Sequence, residues 1–237
     1  MSEKLIIHIT SNFNNIKSIL KSESLRLSYS EEDFIAGNKR VSSAAHPMVC
    51  FSEFDIKNIE KSEVTYGQYG IGFSLDWARK KKISPVIYIN PNSMAANGLG
   101  TLLRARRNKI ENVLANDLKH AIIKLKCFTK NEKGYNSHLK KSDFNFKNEN
   151  EWRFVPEKKD IGNGLISQDK SKYRKSLESK KKYNDKLLPY PMRFSMKSIK
   201  RIYVKHEYEM KELSDKFPNL MYKIEISKWK FTQRTTL

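Results

Sequence analysis

The sequence predicts an α+β fold, a mostly antiparallel sheet with flanking helices. Two observations predict it: short β-branched and apolar runs that read as strands, and their order, with strands first, then a long helical region, then more strands. No internal repeat is apparent. At 237 residues the chain reads as a single domain over 1–237, with one basic segment at about 158–187 standing apart from the rest.

The elements follow in order. "KLIIHIT" is β-branched, apolar and closed by a Thr-Ser-Asn cluster, so it reads as a strand. Phe13, Ile16, Ile19 and Leu20 then recur at helical spacing, with Ser11 or Asn12 as the N-cap. "MVCFSEF" is a second strand. "QYGIGFSLDWARKKK" is a glycine-bearing strand running into a short helix capped by Ser74, and "ISPVIYIN" is a third strand. The longest helical region spans 92–128, interrupted by Gly98 and Gly100, with an apolar stripe of Leu102, Ile110, Val113, Leu114, Leu118, Ile122 and Leu125. "FKNENEWRFV" follows as a strand. Residues 158–186 carry ten basic and four acidic residues and few large apolar ones, which reads as a loop, an insertion or a mobile arm. Strands at "MRFSMKSIKRIYV" and "LMYKIEISKWKF" flank a last helix, "EYEMKELSDKF".

A surplus of 46 Lys and Arg over 26 Asp and Glu gives a formal charge of +20. Such a field suits nucleic acid or an acidic protein inhibitor as partner; the bland alternative is a solvated Lys-rich surface. Cys50 and Cys127 sit in apolar surroundings, as core thiols of a reducing compartment do, so a cytoplasmic location is expected. No 18-residue apolar stretch exists to cross a membrane. The five histidines are scattered without metal spacing, so no metal is expected, and the glycine pairs lack the lysine of a phosphate loop.

"FKNENEWRFV" is the stretch richest in implied chemistry. If it is extended throughout, Glu149 and Glu151 share one face, with Trp152 and Phe154 on the other. Two like charges side by side need compensation. A catalytic pair supplies one kind; cations such as Lys147, Arg153 or the basic arm supply another, as ion pairs worth about 0–1 kcal/mol each. Three further features stand beside it: His8 and Thr10 on one face of the first strand, Ser52 and Glu53 after "MVCF", and Tyr66 and Tyr69 around the glycines of "YGQYGIGF", where a flat ligand has room. Singly, each is equally a strand-end hydroxyl network, an edge charge or a bulge.

Together these segments resemble the bacterial abortive-infection family AbiGi, a phage-resistance toxin–antitoxin component, over roughly residues 5–155. "YGIGFSLDWA" and "PVIYIN" carry most of the likeness. Their order also resembles, more distantly, the ADP-ribosyltransferase fold, including DarT-like toxins. That second resemblance implies a toxin that transfers ADP-ribose from NAD+ to RNA, DNA or protein. Glu151 would be the catalytic carboxylate beside the ribose cation and Glu149 the group that handles the acceptor. His8, Thr10, Ser52, Tyr66 and Tyr69 would hold the cofactor, in a cleft between the first strand and "YGQYGIGF". Arg104, Arg106, Arg107, Lys180, Lys181 and Lys182 would bind the nucleic acid. No Ser-Thr-Ser triplet is present at the second motif. The alternative reading is a non-catalytic antitoxin or binding module that holds nucleic acid or an acidic toxin; the enzyme reading would in turn need a cognate antitoxin or other inhibitor protein.

Overall fold

A computed structural model describes residues 3–108 and 114–232. Its main sheet has nine strands: β1 (Lys4–Thr10), β2 (Ser28–Ala36), β3 (Lys39–Asp55), β4 (Tyr69–Ser74), β5 (Ser84–Pro85), β6 (Glu151–Phe154), β7 (Gln168–Asp169), β8 (Ile199–Val204) and β9 (Ile224–Ile226). Seven of them run in the order β9-β8-β4-β1-β3-β6-β5, and β2 and β7 pair with β3 off that path. All these pairings are antiparallel except β8 with β9. The expected α+β class with largely antiparallel sheet is what the chain adopts.

β3 organises the sheet. Its first half forms a long hairpin with β2, and its second half lies between β1 and β6. The continuous apolar run of β1 follows from burial on both faces. Ile6 enters the main core, while Leu5 and Ile7 enter a second cluster with Phe54, Val64, Tyr203 and Trp229.

The helices are α1 (Phe13–Ser22), α2 (Leu75–Lys80), α3 (Met94–Arg107), α4 (Asn116–Cys127), α5 (Lys170–Arg174), α6 (Leu177–Asp185) and α7 (Glu207–Lys216). Asn12 caps α1 by accepting from the Asn14 N–H at 2.8 Å, and Ser74 caps α2 from the Trp77 N–H at 3.2 Å.

Three expectations change. The single helical region is two helices, and neither glycine interrupts α3. Gly100 lets α3 lie on the hairpin, where an added Cβ would meet the Ala36 Cβ at 3.0 Å. Of the expected stripe, Ile122 is buried and Leu114 packs partly, whereas Leu102, Leu118 and Leu125 are exposed; Ile110 and Val113 lie outside the described residues. The basic segment is not a loop. It folds into a 3₁₀ turn, β7, α5 and α6, and contributes Ile161, Ile166, Tyr173 and Leu187 to the main core. Its scattered large residues suffice because Arg174 and Lys180 pair with Glu31, and Lys170 with Asp33, on the hairpin beneath.

Candidate functional site

Three carboxylates and three cations meet where β6 crosses β3. β6 supplies Glu151 and Arg153, which alternate onto one face and leave Trp152 to the core. β2 supplies Glu32, and the last turn of α4 supplies Lys126. Lys130 comes from the short strand Thr129–Asn131, which pairs with Ile87–Ile89, and Glu149 from the 3₁₀ turn Phe146–Glu149.

The Arg153 guanidinium is fully buried and every nitrogen is engaged. Nε donates to Glu151 Oε1 at 2.8 Å and Nη2 to Glu151 Oε2 at 2.9 Å. Nη1 donates to Glu32 Oε2 at 3.1 Å and to the Cys127 carbonyl at 2.6 Å, and Nη2 also donates to Glu32 Oε1. Lys126, with no exposure, donates to Glu32 at 3.2 Å. Lys130 bridges the two sequence-predicted glutamates, 2.7 Å from Glu149 and 3.1 Å from Glu151, and lies 4.1 Å over the Phe146 ring.

Burial alone would raise the Glu151 carboxyl, but the Arg153 and Lys130 charges outweigh it and hold it down at about 2. The same contest, won by Arg153, Lys126 and Lys130, holds Glu32 low. Burial lowers Lys130, and the Glu151 and Glu149 charges more than reverse it. Desolvation dominates next door, raising Cys50 well above an ordinary thiol and lowering His46 to about 4.

The two glutamates therefore do meet, by a different route from a shared strand face. Asn150 adopts a left-handed conformation at φ 41°, so Glu149 is not in the strand, and its side chain returns to Glu151 only through Lys130. Lys147 pairs with Glu132 instead. Arg153 is the compensating cation that alternation predicts. Lys126 lies four residues after Ile122 on the buried face of α4, a spacing that gives its burial but not its partner. Glu32 and Lys130 carry no local signal.

The remaining predicted residues are spread out. His8 donates from Nδ1 to the Cys50 carbonyl at 2.9 Å and sits edge-on to Phe51; burial lowers it. Thr10 accepts from Asn15 at 2.7 Å. Ser52 lies opposite Glu151 in the β3–β6 register. Tyr66 donates to Glu149 at 2.7 Å, whereas Tyr69 donates to Glu209 at 2.8 Å, and burial with that carboxylate raises Tyr69 to about 12.

No cleft separates β1 from "YGQYGIGF". The two are hydrogen-bonded neighbours, Thr10 opposite Tyr69 and His8 opposite Ile71. Nor do the glycines leave room for a flat ligand, because Gly70 receives a core side chain: its added Cβ would stand 2.6 Å from Ile7 Cγ2. A cleft of about 840 Å³ does open on the Glu149 side, lined by Ser52, Tyr66 and Glu149 with Lys61, Lys140 and Lys141.

Of the predicted basic residues, Arg104 donates to Thr101, Lys180 pairs with Glu31 and Lys181 with Asp185. Arg106 and Arg107 line a pocket with Arg40. No helix among the described residues is long and apolar enough to cross a membrane.

Residues 22–205 match the family model described as "Putative abortive phage resistance protein AbiGi, antitoxin". The chain belongs to the AbiGi family. No curated protein and no solved structure matches it. The matched span holds all six cluster residues and omits His8 and Thr10, so the first-strand part of the expected resemblance falls outside it. The family's description as an antitoxin overturns the expectation of a toxin that transfers ADP-ribose from NAD+, and it favours the alternative, a non-catalytic antitoxin or binding module.

Proposed function

We propose that this protein is the antitoxin of an abortive-infection pair, a binding module that neutralises an acidic toxin by covering it with its basic surface. The observation that carries this reading is the family match over residues 22–205. The charge distribution supports it. Three carboxylates against three cations cancel inside the cluster, so the surplus behind the +20 lies elsewhere, where a partner can reach it. The free Cys50 and Cys127 suit a reducing cytoplasm as the meeting place.

The test is growth. Expressed alone, the chain leaves cells growing; expressed with its paired toxin, it restores growth, and the purified complex weakens as salt rises. Growth arrest by the chain alone would overturn the reading.

A further inference from the structure

α3 ends in Arg104, Arg106 and Arg107. Cations in a last helical turn oppose the helix dipole and need no other purpose. Two observations go beyond that. The close packing at Gly100 brings the turn against the hairpin, so that Arg40 of β3 joins Arg106 and Arg107 around one pocket of about 370 Å³. Among the described residues neither Arg106 nor Arg107 has an ion-pair partner, and the half-buried Arg106 keeps a buried Nε that finds no acceptor. Burial and the adjacent Arg107 both lower Arg106, as expected of a guanidinium that lacks a counter-charge.

The carboxylates nearby do not supply that counter-charge. Asp169 lines the pocket, but its Oδ1 accepts the Ser171 and Lys172 N–H groups that open α5. Asp33 lies 4.0 Å from Arg40 and is held at 2.8 Å by Lys170. Counting Arg40, Arg106 and Arg107 against Asp169, the wall keeps two uncompensated positive charges. Ser43 and Ser167 add hydroxyls.

We propose that the pocket framed by Arg40, Arg106 and Arg107 is an oxyanion site that takes a phosphate monoester, either the 5′-terminal phosphate of a nucleic-acid strand or that of a free nucleotide. A monoester carries about −1.5 to −2 at pH 7, close to the excess on the wall, whereas a protein carboxylate carries −1. Guanidinium forks match phosphate oxygens in pairs, and the volume leaves space for a sugar behind the phosphate. The site goes beyond the antitoxin reading and does not rest on it.

Binding of the full chain is measured for four probes: a 5′-phosphorylated single-stranded oligonucleotide, the same strand without its phosphate, adenosine monophosphate, and a poly-glutamate peptide. The phosphorylated strand should bind about tenfold or more tightly than the bare strand, and the double variant Arg106→Gln with Arg107→Gln should erase that difference. A nucleotide that binds as tightly as the phosphorylated strand identifies the free nucleotide as the source; a much weaker one identifies the strand end. Replacing Lys181 and Lys182, neither of which pairs with the hairpin, with Gln should weaken both strands alike and keep their ratio, since it removes only general attraction. Equal affinity for the two strands in the wild type, or a ratio that survives the arginine double variant, overturns the proposal. So does poly-glutamate binding that matches the phosphorylated strand, which would make the pocket a carboxylate site. Both arginines sit at the surface end of α3, and circular dichroism checks that the variant is folded.

Discussion

The cluster around Arg153 and the pocket around Arg106 use the same functional groups to opposite ends. In the first, a guanidinium with no access to water meets two carboxylates and a carbonyl, and once Lys126, Lys130 and Glu149 are counted the charges sum to zero. In the second, two adjacent guanidinia keep partial access to water and have no carboxylate of their own. Desolvation is the physical divide. A buried charge is tolerated only when paired, so its partners are fixed by the fold. A surface charge can stay unpaired and remain available to a ligand. The glutamates that look reactive in the sequence belong to the first class, and the arginines expected to bind nucleic acid belong to the second.

The sharpest way to break this comparison is to remove one guanidinium from each region. Arg153→Met should cost about 3–5 kcal/mol, because Glu32 and Glu151 are left buried without their main partner. Arg107→Met should stay within about 0.5 kcal/mol. Urea denaturation of the two variants measures both, and similar losses would erase the distinction.

Glu151→Gln is the next largest. It keeps the shape and removes the charge that Arg153 and Lys130 share, so about 2–3 kcal/mol of stability should go. A variant as stable as the wild type would mean that the carboxylate is not part of the structural framework.

Acid sharpens the same point. The Glu151 carboxyl is depressed from 4.5 to about 2, so its contribution is fully present above pH 4.5 and is lost as pH falls towards 2. Denaturation midpoints followed over that window should drop in the wild type and drop less in Glu151→Gln.

Salt gives the smallest effect on stability. One molar NaCl should shift the unfolding free energy by less than about 0.5 kcal/mol through the cluster, because buried pairs are poorly screened, while loosening whatever the arginine surface holds.

Much of the fold is legible in residue order. β1, α1, β4 and α2 follow from short apolar runs, helical spacing and the caps at Asn12 and Ser74. The segment at 158–186 was not, because its few apolar residues are anchored by ion pairs to Glu31 and Asp33, far away in the chain. The candidate site was half legible. Glu149, Glu151 and Arg153 lie in one stretch, but Glu32, Lys126 and Lys130 reach it only through tertiary contacts. Asn150 shows the limit of strand alternation, since one left-handed residue moves Glu149 out of the strand.

The most direct measurement is toxin neutralisation by Glu151→Gln, scored per folded molecule at a temperature where circular dichroism shows the variant native. If the cluster is framework and the basic surface binds, each folded variant molecule neutralises as much toxin as the wild type. A folded variant that no longer neutralises would contradict the account.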